Sequence, residues 1–255
     1  MTADLPIGWI FSSVLLSLRI APTFAFAPPF SLTRTPRLFR VLFGVGVAAC
    51  MVAASPAAMA VTDLSPGHVV VASISELALG MIFVLTLHLM FAALYVAGRT
   101  LDIQAGFGLA TVINPANNEQ TPLIGTLFVY GAAGVFFTLG GHADLLRILR
   151  ASLDAIPLGG GGFPASIAPI TSFISIMFLT AFGVAGGAIL CLFLTDLAIA
   201  MLSRTVPQMN VLILGLQIKT LLVLVLLPIT FGTVGALFAR MAAITLQSLP
   251  GLLAR

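Results

Sequence analysis

Charge is what this chain has least of: only 7% of its 255 residues are Asp, Glu, Lys or Arg, where a soluble domain carries about 25%. A water-facing surface cannot be assembled from so few ionisable groups. No polar stretch is long enough to become a separate soluble domain, so residues 1–255 read as one membrane domain. Eleven basic against eight acidic residues leave a formal charge of +3. The basic residues are scattered, and no run of them would track a phosphate backbone, which excludes nucleic acid as an expected partner. Cysteine is almost absent too. Cys50 and Cys191 lie in separate apolar segments without Cys-x-x-Cys spacing, and are expected as small core residues that report no redox compartment.

The motifs of catalysis are also missing. There is no His-Glu-x-x-His, no glycine loop ending in Lys-Ser or Lys-Thr, and no Gly-x-Ser-x-Gly elbow. His68, His88 and His142 are too scattered for a metal site, and His88, on an apolar helix, is expected as a hydrogen-bonded packing residue. Gly44-Val45-Gly46 lies inside an apolar segment with no strand before it, which excludes a dinucleotide turn. No catalytic residue, no metal and no cofactor is expected, and the chain does not read as an enzyme.

Long apolar runs are what remains, in a sequence that is 60% hydrophobic. A helix needs about 20 mostly apolar residues to cross the hydrocarbon core. Uncharged runs of 22, 22, 24 and 20 residues separate Arg40 from Asp63, Glu76 from Arg99, Glu119 from Asp144 and Lys219 from Arg240. A fifth run, between Asp154 and Asp196, opens with glycines and prolines, so its helix is expected to begin near Ile170. The first segment, Ile7 to Ala27, carries Arg19, and Pro22, Pro28 and Pro29 are expected to kink or end it. The fold class is therefore all-α: a polytopic membrane protein with about six apolar helices arranged as hairpins. Ala58-Met59-Ala60 imitates a cleavage site, but an equally apolar segment precedes it, so cleavage is not expected. Arg34, Arg37 and Arg40 on one short connection favour the cytoplasm for that loop.

Connections are expected at Ser31 to Arg40, Thr62 to Gly67, Gly98 to Thr121, Gly140 to Ser166 and Ser203 to Asn210. The stretch from Gly98 to Thr121 is half apolar yet rich in Gly, Asn and Pro, which suggests irregular backbone sheltered inside protein. Arg19, Glu76, Asp196 and Lys219 stand inside apolar segments, where each costs about 2.5 to 3.5 kcal/mol on the insertion scale unless paired or wet. Two readings stay open: a proton or ion relay, or pairing with one another or with partner subunits to set helix registry. Asp196 and Lys219 flank one hairpin turn and could close it. Gly183 and Gly187 form a small-xxx-small pair that invites a close neighbour.

Arg19, Pro22, Pro28, Arg34, Pro36 and Arg40, then Glu76 and Gly80 at the opening of the third segment, form a pattern found in one family of export proteins. The block from Gly98 to Pro115 continues it through Gly98, Gln104, Gly106, Ala110 and Pro115. Gly141-His142, Ser152 and Pro157 follow, and then Ser203-Arg204 with Pro207-Gln208-Met209-Asn210-Val211, Gly215 and Lys219. Taken together, the chain resembles the FliR family of flagellar export proteins and its SctT counterparts of type III secretion. Arg99 and Asn114 stand where that family usually has Glu and Asp.

The resemblance implies a structural and gating subunit of a type III export channel, flagellar in the first reading and injectisome in the alternative, in a bacterial inner membrane at the base of the flagellum or injectisome. Residues 1–165 would be FliP-like and residues 166–255 a FliQ-like hairpin, completing a ring with FliP-like and FliQ-like subunits. A large proton-coupled export subunit of FlhB or FlhA type would supply the drive, unfolded export substrates would pass, and membrane lipid would surround the assembly. Gly106, Phe107, Gly108, Leu109, Val112 and Pro115 would form a plug or gate in the conduit, or else a loop that merely packs between helices. Arg19, Glu76, Gln104, Asp196, Arg204, Pro207, Gln208 and Lys219 would hold registry or subunit contacts. The alternative is a secondary transporter with a midplane charged site.

Overall fold

The computed structural model of the chain describes residues 7–55, 65–107, 112–114, 119–160, 168–206, 208 and 210–253. Among these, the helices are α1 (Ile7–Phe26), α2 (Arg37–Ala54), α3 (Pro66–Ala105), α4 (Leu123–Thr138), α5 (Gly141–Ala155), α6 (Ala168–Thr205) and α7 (Val211–Leu253). A 3-10 turn at Phe30–Leu32 and a ribbon of two three-residue strands, β1 (Val112–Asn114) and β2 (Glu119–Thr121), complete the described elements. Five helices are long and apolar enough to cross a membrane, and α4 with α5, joined at a 72° bend, would make a sixth. The helical, multi-pass architecture follows from the uncharged runs.

The chain folds into two compact units, and α3, α6 and α7 each pass from one to the other. The first holds α1, α2, the first part of α3 to Leu89, α5 with the chain through Phe173, and the end of α7 from Ala243. Its α2 packs inward with a row of small side chains, Gly44, Ala48 and Val52, one every four residues. Its large ones, Leu38, Phe39, Leu42 and Phe43, are exposed. A helix that is small inside and greasy outside suits lipid or a protein neighbour rather than water.

Pro22 does not end α1, which runs through it to Phe26. Proline has no N–H to offer the carbonyl four residues back, that of Leu18. Gly80 of α3 lies against this carbonyl: a side-chain carbon there would come within 2.7 Å of the Leu18 oxygen and 2.8 Å of the Arg19 oxygen. Only glycine fits the crossing.

One turn beyond, Arg19 is wholly buried and all five of its N–H donors are engaged. Nε donates to Glu76 Oε2 at 2.5 Å, and Nη2 donates to Glu76 Oε1 at 2.9 Å and to the Ile156 carbonyl at 3.1 Å. Nη1 donates to the Ser152 carbonyl at 3.1 Å and to its hydroxyl oxygen at 3.3 Å. Glu76 Oε1 also accepts the Gly159 N–H at 3.1 Å. Gly159 reaches this position with φ of 73°, which glycine adopts without strain. The network joins α1, α3, α5 and the turn after α5, and Leu15, Ala72, Phe11 and Leu158 pack beside it.

Several expectations are corrected. The connection read at Gly140 to Ser166 contains α5, whose buried Leu145, Leu149, Ser152 and Leu153 recur at helical spacing beside exposed Arg147. Counting uncharged runs hides an amphipathic helix, which periodicity would have found. The third helix opens at Pro66 rather than at Glu76. It also continues through Gly98 to Ala105, because one glycine costs only about 1 kcal/mol and no proline intervenes. Its 40 residues extend ~60 Å, about twice the hydrocarbon thickness. Cys50 is exposed rather than in the core, because it lies off the buried row of α2. His88 is exposed, with Nδ1 3.3 Å from the Val84 carbonyl of its own helix. Ala58 to Ala60 lie outside the described residues.

The second unit holds α3 from Met90, the ribbon, α4, α6 from Ile174 and α7 to Ala242. Ala181, Ala185, Ala188 and Leu192 form the buried row of α6. The Phe231 ring of α7 covers Gly131 of α4, where an added carbon would lie 2.3 Å from it, and Phe128 stands 6.5 Å away. At Gly183 and Gly187 a side-chain carbon would meet nothing within 4 Å among the described residues. Among the described residues, none supplies the close neighbour expected there.

Removing one member of the buried pair leaves a charge uncompensated, which costs about 3 to 5 kcal/mol. Arg19→Met and Glu76→Leu are each expected to lower the stability of the detergent-solubilised protein by that order. The double variant should lose less than the sum of the two. Additive losses in denaturant unfolding would refute the coupling.

Candidate functional site

The segment between α3 and α4 is the candidate site, and its two ends are tied together. Asp102, on the last turn of α3, is 2% exposed. Both of its carboxylate oxygens accept the Ile124 N–H at 3.0 Å, and Oδ2 also accepts the Gly125 N–H at 3.1 Å. The residue preceding α4 is Pro122, which has no side-chain acceptor to cap the helix. Asp102 therefore caps α4 from another helix, and its negative charge sits at the positive end of the helix dipole.

The two helices touch directly at this point. A side-chain carbon on Gly98 would fall 2.6 Å from Gly125 Cα, and one on Gly125 would fall 3.0 Å from the Tyr95 carbonyl oxygen. Backbone lies on backbone, so the carboxylate reaches the first amides of α4 with no intervening water. Between these anchors the chain makes a detour. Gly106 turns out of α3 with φ of 81° and donates its N–H to the Ile103 carbonyl at 3.2 Å. The segment then returns as the antiparallel ribbon, with Val112 opposite Thr121, Ile113 opposite Gln120 and Asn114 opposite Glu119.

Of the proposed plug residues, Gly106 and Phe107 are half-buried just past the end of α3, and Val112 opens β1. Gly108, Leu109 and Pro115 lie outside the described residues. Gln104 is half-buried on the last turn of α3. Arg19 and Glu76 meet in the first unit, and in the second Lys219 forms an ion pair with Asp196 across the α6–α7 turn. Arg204 and Gln208 are exposed near that turn, and Pro207 lies outside the described residues. Asn210 Oδ1 accepts the Ile213 N–H at 3.4 Å and caps α7.

Asp102 escaped the sequence reading. It was counted among loop residues, whereas a carboxylate inside an apolar helix is a costly group that demands partners. Had α3 been followed to Ala105, its charge would have singled it out beside Glu76.

The model of "Bacterial export proteins, family 1" matches residues 10–244. The chain belongs to this family. Its export relatives include the flagellar biosynthetic protein FliR of Bacillus subtilis, 29% identical over 94% of both chains. The surface presentation of antigens protein SpaR of Shigella flexneri is 29% identical over 66% of this chain and 65% of its own. The secretion system apparatus protein SsaT of Salmonella typhimurium is 31% identical over 55% of each chain. An export-family membrane protein thus carries, between its third and fourth helices, a loop whose two ends are clamped by one carboxylate.

Asp102→Ala is expected to lose about 1 to 2 kcal/mol of stability, as loss of a helix cap does. It should also speed hydrogen exchange at the Ile124 and Gly125 amides at least tenfold, while the Arg19 network stays protected. Unchanged exchange at those two amides would show that the carboxylate does not hold α4.

Proposed function

We propose that this protein is a structural and gating subunit of a type III protein export channel, of the flagellar branch, in the bacterial inner membrane. The observation that carries the proposal is the tethered segment between α3 and α4. Because Asp102 holds the end of α3 to the start of α4, displacement of the segment between them would not pull the helices apart. Gly106 gives it a bend at the base, and its apolar residues Leu109 and Val112 suit a seal, since an apolar constriction resists water and ions. An unfolded substrate would displace such a loop without breaking a helix.

The proposed assembly places this chain beside FliP-like and FliQ-like subunits, with residues 1–165 in the role of the former and 166–255 in that of the latter. A large proton-coupled subunit of FlhB or FlhA type supplies the drive. The uncovered Gly183 and Gly187 and the exposed Leu179, Leu190, Phe193 and Leu194 of α6 support a helical neighbour from another chain. The flagellar branch is favoured because a match running over 94% of this chain is with a flagellar FliR, that of Bacillus subtilis. A charged transport site is less well supported, because Arg19 and Glu76 satisfy each other, as do Lys219 and Asp196.

Purification of the tagged chain is expected to bring down FliP-like and FliQ-like polypeptides in larger copy number, and isolation of a solitary chain would refute the assembly. Deletion of residues 106–112 should raise ion conductance severalfold while the partners still copurify. Conductance equal to wild type would remove the gate. Lys219→Ala should weaken partner association if the ion pair sets registry; normal assembly with lost proton coupling would favour the transporter instead.

A further inference from the structure

The turn between α1 and α2 forms a half-open cavity of about 120 Å³, lined by Phe24, Phe30, Thr33, Thr35, Phe39, Arg40 and Phe43. That is roughly the room of four water molecules in the liquid. Its wall is an aromatic cluster: the Phe24 ring lies 4.8 Å from that of Phe30 and meets Phe43 edge to face at 5.2 Å. Within it, Nε and Nη1 of Arg40 are shut off from solvent and find no acceptor among the described residues. The hydroxyls beside them are spent as donors. Thr33 donates to the Phe30 carbonyl at 2.7 Å, so in its 2.6 Å contact with Thr35 it is Thr35 that donates.

A desolvated guanidinium without an acceptor is costly, and the group that satisfies it best is a planar or tetrahedral oxyanion. The neighbouring chain offers none, since no Asp or Glu stands between Asp4 and Asp63. Arg34 and Arg37 are exposed close by and form no ion pair among the described residues, so they add to the positive field. Both helices are long and apolar enough to span, and both end at this turn. Spanning helices that end here would set the cavity at the level of a membrane surface, where phosphates concentrate. Below it, the exposed Leu42, Phe43 and Val45 continue an apolar row along α2.

We propose that this cavity binds the phosphate of an anionic phospholipid. Arg40 Nε and Nη1 donate to phosphate oxygens, Arg34 and Arg37 favour the negative headgroup, and an acyl chain lies along Phe39, Leu42 and Phe43. The site rests on the membrane character of the chain and not on its role in a channel.

Thermal unfolding of the full chain in a neutral detergent, with any copurifying partners, tests it against three probes: dihexanoyl phosphatidylglycerol, dihexanoyl phosphatidylcholine and inorganic phosphate. Phosphatidylglycerol is expected to raise the melting temperature by several degrees and to bind at least about tenfold more tightly than phosphatidylcholine. Arg40→Gln should abolish the difference. Thr35→Glu, which hands the guanidinium an internal carboxylate at an exposed position, should abolish it too, and this variant decides the matter if Arg40→Gln does not fold. Equal shifts with the two lipids, or a preference that survives in the folded variants, overturn the site. An equal shift with inorganic phosphate alone overturns the lipid source in favour of a free anion. Loss of a copurifying polypeptide in Arg40→Gln, with no lipid preference in wild type, assigns the guanidinium to a partner's carboxylate and equally overturns the proposal.

Discussion

The contact on which the first unit depends is the buried pair of Arg19 and Glu76. A charge buried in low dielectric is unfavourable unless every one of its hydrogen-bonding positions is met. Here the five donors of Arg19 and the Oε1 oxygen shared with Gly159 bring α1, α3, α5 and the following turn to one place. Apolar packing would hold these helices at many similar depths, since one greasy face slides readily over another. A forked guanidinium on a carboxylate admits one register. Gly80 against the Leu18 and Arg19 carbonyls then sets the distance between α1 and α3.

The second unit solves a related problem with a carboxylate alone. Asp102 satisfies the first amides of α4, and the helix needs no cap of its own. The consequence is mechanical. Asp102, rather than the segment that follows it, holds the end of α3 to the start of α4. Lys219 and Asp196 close the α6–α7 turn in the same way, each charge standing near its opposite in a largely apolar helix.

Much of this was legible in the residues. Uncharged runs are long because hydrocarbon tolerates nothing else, so the number of apolar helices and the all-α class could be read without coordinates. The pairing of Asp196 with Lys219 followed from their places on either side of one turn. Three features were less accessible. The amphipathic α5 looked like a polar loop because its charges interrupt the uncharged run while its leucines keep helical spacing. Asp102 looked like a loop residue because Gly98 suggested an earlier helix end. Cys50 looked like core because an apolar helix does not announce which of its faces is covered.

What the sequence determined by itself is therefore composition-driven: membrane residence, helix number and membership of an export family through spaced polar motifs. These follow from local chemistry, since transfer of a charge or an open peptide group into lipid is costly wherever it occurs. Only the tertiary structure decided that Arg19 meets Glu76, that one carboxylate ties the two ends of the candidate gate, and that Arg40 faces an aromatic cavity without an acceptor among the described residues. Those facts depend on residues separated in the sequence becoming neighbours, as Arg19 and Ser152 do at 133 positions. No pattern within a single helix encodes the angle at which two of them cross.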